Sequence, residues 1–204
     1  MYNIELIVTT FFQENIWIII NDKNEAIIID PGFLPIENFD NFFTSKQIKP
    51  IAIVNTHAHP DHIYSVVELQ DKYKIPFYLF EKEKSNLGNL LSLSLAIGAN
   101  DIKVPENITF FNDVILKIGN FEFEVVHTPG HTEGGICLKF DKHLICGDTL
   151  FQGSIGRIDL PGGSITEMKK SIEQFKQMND NIIIYPGHGG KSTIGEEKKN
   201  NPYF

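Results

Sequence analysis

Four metal-ligating side chains lie within six positions in Thr56-His57-Ala58-His59-Pro60-Asp61-His62, a run that follows directly on the apolar segment Ile51–Asn55. Imidazole and carboxylate are the ligands that zinc, iron and manganese take. Alternate residues of an extended segment point the same way, so His57 and His59 can converge on one ion. Past the bend that Pro60 imposes, Asp61 and His62 can face a neighbouring ion. The strand that precedes the run would deliver it to a sheet edge.

A closed site for two ions needs more than four ligands. Three further residues follow apolar strand-like runs and sit in tight, glycine-rich turns: His131 in Thr128-Pro129-Gly130-His131-Thr132, Asp148 in Cys146-Gly147-Asp148-Thr149, and His188 in Pro186-Gly187-His188-Gly189. A lone histidine after a Pro-Gly turn is ordinarily just exposed, and only the combination carries weight. Glycine beside each ligand lets the backbone approach closely.

The remainder of the chain reads as alternating strands and helices. Ile4–Val8, Ile16–Ile20 and Ala26–Asp30 are short strands, the last stopped by Asp30-Pro31-Gly32. Ile36, Phe39 and Phe43 have helical spacing, and a helix is expected from Ile63 to Tyr73. Phe77–Phe80, Phe121–Val126, Gly135–Phe140, His143–Cys146 and Ile182–Tyr185 read as strands. A helix over Thr166–Met178 is expected to be capped by Ser164 or Thr166, with Glu167 in its first turn. The stretch Glu81–Asn107 is the least legible, with one helix expected over Leu87–Leu95. Two strand-rich blocks, each followed by helix, imply an α+β fold of two sheets packed together with helices outside. At 204 residues the chain suits a single domain spanning 1–204.

Net charge of −8, with basic residues interleaved among acids, argues against a nucleic-acid partner. No stretch of 18 apolar residues appears, which argues against a membrane partner, and MYNIELIV lacks the basic start of a signal peptide, so a cytoplasmic location is expected. Cys137 and Cys146 sit in apolar runs and read as inert buried thiols.

The ligand pattern His57, His59, Asp61, His62, His131, Asp148 and His188 resembles the metallo-β-lactamase superfamily, and within it the glyoxalase II (hydroxyacylglutathione hydrolase) branch. The resemblance implies an αββα sandwich of two mixed sheets with the metals in a groove at one edge. It implies one ion on His57, His59 and His131, a second on Asp61, His62 and His188, and Asp148 bridging both. Two divalent ions, zinc first and iron or manganese as alternatives, are the implied cofactors. Aspartate rather than cysteine at position 148 is unlike many true β-lactamases, and His59 is unlike the acid of the diiron oxygen-reducing branch.

A water shared by two dications loses its proton near neutral pH and becomes a nucleophile, while a metal polarises the carbonyl under attack. Asp61 and Asp148 are therefore the expected catalytic carboxylates. A thiolate leaves without a general acid, so the expected substrate is a small, anionic thioester such as S-lactoylglutathione. In the glyoxalase II branch a basic residue at the position of Arg157 helps bind the substrate's carboxylate, which makes Arg157 the candidate substrate contact; the competing reading is an ion pair with Asp159. Glyoxalase II enzymes also carry a C-terminal helical domain. Here the chain ends sixteen residues after His188 and resembles the short bacterial form. Three alternatives stay open: a hydrolase of another ester, lactone or amide, a persulfide dioxygenase with a single iron on His57, His131 and Asp148, and a non-catalytic metal-binding module. Of the remaining residues, His127 reads as packed, His143 as solvent-exposed, Tyr185 as core, and Asp30 as a hydrogen-bonding partner of a loop or of a ligating histidine.

Overall fold

A computed structural model describes residues 2–204. One six-stranded sheet holds β1 (Asn3–Val8), β2 (Asn15–Ile20), β3 (Glu25–Ile29), β4 (Lys49–Asn55), β5 (Phe77–Phe80) and β6 (Ile108–Phe111) in sequential order. Its first three strands are antiparallel and its last three join in parallel, so the sheet is mixed. Parallel joins require crossovers. These are α1 (Ile36–Lys46) between β3 and β4, α2 (Pro60–Ile63) with α3 (Val66–Tyr73) between β4 and β5, and α4 (Lys84–Gly88) with α5 (Leu90–Ala96) between β5 and β6. The second sheet takes β7 (Ile115–Ile118), β8 (Phe121–His127), β9 (Ile136–Phe140) and β10 (His143–Gly147) as an antiparallel meander. It continues through β13 (Ile183–Pro186), parallel to β10 after the helix α6 (Ile165–Lys176), to β14 (Ser192–Thr193). A small ribbon of β11 (Leu150–Phe151) and β12 (Ser154–Ile155) follows β10, and α7 (Ile194–Asn200) follows β14.

The period of two along each strand assigns the layers. In β2, Ile16, Ile18 and Ile20 face α1 and α3 and pack with Phe39, Phe43, Val66 and Leu69. Trp17 and Ile19 face the other way and meet Phe121, Phe123 and Leu138 of the second sheet. Beyond that sheet, Cys137, Leu144 and Cys146 meet Met168, Ile172 and Phe175 of α6. The order helix, sheet, sheet, helix is the αββα sandwich expected from the sequence. Both cysteines are buried and unpaired, and burial pushes the Cys146 thiol well up. None of the helices among the described residues is long and apolar enough to cross a membrane.

Several local expectations are corrected. The helix expected over Ile63–Tyr73 is two helices, α2 and α3. It breaks at Ser65, whose amide donates to the Pro31 carbonyl at 3.0 Å and whose hydroxyl donates to Gly32 at 2.6 Å. The helix expected over Leu87–Leu95 is likewise split, into α4 (Lys84–Gly88) and α5 (Leu90–Ala96). Asn89 closes the break with a tight bond to the Asn86 carbonyl at 2.9 Å. His143 is half-buried rather than exposed, because its Nδ1 meets the Tyr185 hydroxyl at 2.8 Å.

Candidate metal centre

All seven residues singled out in the sequence meet at one edge of the sandwich. β4 ends at Asn55 and delivers His57 and His59 from the loop beyond it, while Asp61 and His62 lie on α2. Asn55 holds this turn closed, its Nδ2 donating to the carbonyls of His57 at 3.2 Å and His62 at 2.8 Å. His131 comes from the loop after β8, Asp148 from the turn after β10, and His188 from the turn after β13. Gly147 sets the Asp148 turn. Its φ of +47° is in the left-handed region, and a Cβ there would lie 2.2 Å from Thr56 Oγ1.

Two clusters that share no residue result. Ligand atoms of His57, His59 and His131 lie within 4.8 Å of one another, and so do those of Asp61, His62 and His188; a third, overlapping group of Asp30, His57 and His62 meets the same distance. Asp148 stands between the first two: its Oδ1 is 3.3 Å from His62 Nε2, and its Oδ2 is 3.6 Å from both His131 Nε2 and His188 Nε2. His188 Nε2 is also 3.3 Å from Asp61 Oδ2.

The far sides of the rings are fixed by acceptors, which settles which nitrogen faces the cluster. His131 Nδ1 donates to the Arg157 carbonyl at 2.6 Å and His188 Nδ1 to the Phe12 carbonyl at 3.2 Å, so each turns Nε2 inward. His59 Nδ1 meets His131 Nε2 at 2.8 Å. His57 Nδ1 lies 3.1 Å from Thr56 Oγ1, and that hydroxyl donates to Asp30 Oδ2 at 2.6 Å. Asp30 also accepts from the Thr56 amide at 2.7 Å and stands 3.2 Å from His62 Nδ1. Asp30 thus supports the loop and a clustered histidine, as its place after β3 predicts.

Burial holds the His57 imidazole well below its ordinary pKa and His59 at about 3, with neighbouring histidines adding to the effect. Burial thus favours the neutral form of both rings, the form in which an imidazole can ligate a metal. Burial also pulls His62 down, but Asp148 and Asp61 outweigh it and hold that ring well above its ordinary value. The same pairing overcomes burial to keep Asp148 ionised.

His57 Nε2 and His59 Nε2 are buried with no hydrogen-bond partner, and the ring nitrogens of His62 and Asp148 Oδ1 have only the imidazole–carboxylate contacts of 3.2 and 3.3 Å. Buried polar atoms are ordinarily paired, so this concentration of poorly satisfied atoms fits a donor set built for cations. Five imidazoles and two carboxylates in two clusters with a shared aspartate suit two divalent ions.

Arg157 reaches the mouth of the adjoining cavity, and its guanidinium is engaged by Asp159 through Nε at 2.8 Å and Nη2 at 2.7 Å. The ion pair weighed in the sequence is present. His127 is half-buried and bonds the Glu133 carbonyl at 2.9 Å, away from the cluster, and Tyr185 is buried against Trp17.

Two acidic residues near the site were not found by reading the sequence. Glu83 is fully buried beneath the loops that carry His57, His59 and His131. Its carboxylate accepts from the Ala58 amide at 2.8 Å, the Gly134 amide at 3.0 Å, the Thr132 hydroxyl at 2.6 Å and Asn86 Nδ2 at 3.1 Å. Glu14 is equally buried, neither carboxylate oxygen has a partner, and burial pushes it well up. In the sequence, Glu83 lies in the charged run Glu81-Lys82-Glu83-Lys84, which has the look of a solvated face.

The description "Metallo-beta-lactamase superfamily" belongs to a family model that matches residues 9–188. Hydroxyacylglutathione hydrolase GloC of Haemophilus influenzae is 36% identical over 208 residues, spanning 99% of this chain and 98% of that protein. The crystal structure of BLEG-1 B3 metallo-beta-lactamase superposes with a TM-score of 0.88 at 36% identity, over 98% of this chain and 99% of that one. TTHA1623, solved in a di-iron-bound form, gives a TM-score of 0.89 at 28% identity, over 98% of this chain and all of its own. Proteins of this superfamily bind divalent metals through such histidine and aspartate clusters. On its sequence, its fold and the residues gathered at the sheet edge, this chain belongs to the metallo-beta-lactamase superfamily of metal-dependent hydrolases.

Proposed function

We propose that this protein is a thioester hydrolase with a dinuclear metal centre, acting on small thioesters such as S-lactoylglutathione. The observation that carries the reading is the position of Asp148, whose two oxygens reach His62 on one side and His131 and His188 on the other. His57, His59 and His131 would hold one divalent ion, Asp61, His62 and His188 the other, and Asp148 both. Such a pair of ions supplies a water acidic enough to ionise near neutral pH and a Lewis acid for the carbonyl oxygen. The likeness to H. influenzae GloC supports the thioester as substrate class.

The chain's own residues prepare the site. Asp30 and Thr56 hold the His57 loop, the Arg157 and Phe12 carbonyls fix the His131 and His188 rings, and Asp61 and Asp148 place carboxylates on the cavity wall. In the overall step the acyl carbon gains the hydroxyl of water, the C–S bond breaks, and the remaining proton goes to the thiolate. A good leaving group needs no further acid, which agrees with the lack of an unassigned acid among the cavity residues. In this reading residues 1–204 act as one catalytic domain, and the substrate's carboxylate draws on Arg157.

The test is steady-state hydrolysis of S-D-lactoylglutathione beside a thioester lacking glutathione, with metal content measured on the same sample. A kcat/KM above about 10⁴ M⁻¹s⁻¹ for the first is that of a working enzyme. Absence of turnover on either substrate by protein carrying two ions would sink the thioesterase reading. The metal analysis decides between zinc, iron and manganese, all of which this donor set accepts.

A further inference from the structure

We propose that the cavity beside the metal centre selects thioesters carrying a neutral, apolar arm, an alkyl or aryl chain on one side of the scissile carbonyl. The proposal rests on the hydrolase reading above and narrows its substrate class.

The cavity has a volume of about 360 Å³, small among ligand pockets. One wall is the metal centre, through His59, Asp61, His131, Asp148 and His188. The apolar part of the lining is Phe12, Leu93, Ala96, Ile97, Phe151 and Leu160. Arg157 is the only cationic side chain other than histidine on the lining, and Asp159 already occupies its guanidinium. A charged group laid against these apolar residues would therefore lose water and find few partners, whereas an apolar group would cover apolar surface; the other arm of the thioester is not constrained by them.

Two local features show that this wall is built rather than incidental. The segment from Ser85 to Asn100 contains no charged residue, in a chain of which 22% is charged. A surface helix ordinarily turns an apolar stripe inward and charges outward. Here α5 lays Leu93 and Ala96 along the cavity and still carries Leu91 and Leu95 outside, 55% and 64% exposed. The second feature is Phe12, whose φ of +61° lies in a region that bulky residues avoid. Its carbonyl fixes His188, and the residue, 48% exposed, lines the cavity. A strained backbone that keeps a large aromatic side chain half in solvent is accounted for when the ring has a ligand to cover.

The experiment is a matrix of kcat/KM values for the metal-loaded protein. One arm holds a small neutral thiol and lengthens the acyl group from acetyl through butyryl and hexanoyl to octanoyl, with a succinyl thioester as the charged counterpart. The other arm holds the acyl group and lengthens the thiol. In one arm kcat/KM should rise about three- to fourfold per methylene until the cavity is full, and that arm identifies which side of the carbonyl lies on the wall. The succinyl thioester should fall below its uncharged counterpart. Ala96→Asp, an exposed position on the wall, should flatten the slope and keep the metal content. Values flat or falling in both arms, with thioesters still turned over, would overturn the proposal and leave the hydrolase reading standing. If no thioester is turned over, the hydrolase reading fails, and calorimetric affinities for acetate, butyrate, hexanoate and octanoate test the wall alone. Affinity that rises with length then supports the wall, and affinity independent of length rejects it.

Discussion

Glu83 and Thr132 stand 49 positions apart in the chain, and the Thr132 hydroxyl donates to Glu83 Oε1 at 2.6 Å. The other oxygen of the same carboxylate takes the Ala58 amide, which lies between His57 and His59. One buried side chain therefore ties the loop of two clustered histidines to the loop that follows His131. Replacing it strands several buried donors, each at a cost of about 1–3 kcal/mol. Glu83→Ala should lower stability by about 3 kcal/mol or more and weaken metal binding about 10- to 100-fold, the range found for residues that support ligands. Glu83→Gln keeps the shape and part of the bonding and should recover part of both. Chemical denaturation and chelator competition measure the two effects; a variant with unchanged metal affinity would reduce Glu83 to a purely structural role.

Asp148 reaches both clusters, so its loss should be felt by both. Asp148→Ala is expected to take the metal content from two ions per chain towards none and to lower kcat/KM by more than about 100-fold. Elemental analysis of purified variant protein is the check. Two ions retained per chain would contradict the bridging assignment.

Removal of metal by a chelator should lower the unfolding temperature as well as abolish hydrolysis. An ion at a thousand times its Kd stabilises the folded state by about 4 kcal/mol. Without it, carboxylates such as Asp148 and Asp61 would rely on histidines alone for compensation. Differential scanning with and without added zinc should show a concentration-dependent rise; a midpoint indifferent to metal would mean that the cluster binds none.

How far the sequence could be read depended on whether a feature is local. The His57–His62 run announced itself, because four side chains able to ligate a metal within six positions have no ordinary structural use. His131, Asp148 and His188 were legible through their shared setting after apolar strands. The strands of the core were legible through long apolar runs such as Ile16–Ile20, buried on both faces. What failed was information that only tertiary contacts supply. The break after α2 depends on Ser65 bonding a loop more than thirty positions earlier. Ile108–Phe111 becomes a strand by pairing with β5, not by its own pattern. Glu83 and Glu14 differ from surface acids only in being buried. The split between α4 and α5, in the least legible segment, decides where Leu93 and Ala96 sit on the cavity.

Arg157 is exposed and paired with a fully exposed Asp159, whose carboxyl it holds at about 2. An ion pair of this kind is screened by solvent and contributes little to folding. Arg157→Ala should therefore leave the unfolding temperature essentially unchanged. If the guanidinium also receives a substrate carboxylate, the variant should raise KM for an anionic thioester more than it lowers kcat. An unchanged KM would leave the pair with Asp159 as its whole role. Asp159→Asn is the companion variant, since releasing the guanidinium should then lower KM for the anionic substrate.

Gly187 precedes His188, and no larger residue fits there. A Cβ at this position would lie 2.2 Å from Asp148 Oδ1 and 2.7 Å from His62 Cε1. The backbone cannot retreat, because the Gly187 amide donates to the Gly147 carbonyl at 2.8 Å while its own carbonyl accepts from the Asn15 amide at 2.7 Å. The added methyl must instead displace a carboxylate or an imidazole from the cluster. Gly187→Ala should fold, lose metal from the Asp61, His62 and His188 group first, and fall in kcat/KM by at least about 100-fold, as expected when a ligand is misplaced. Gly88→Ala, where nothing lies within 4 Å of the new Cβ, is the control and should behave as the parent. Circular dichroism, metal content and turnover measured on both variants separate the outcomes. A Gly187→Ala protein with two ions and parental activity would mean that Asp148 and His62 have room to move, against the close packing on which their assignment rests.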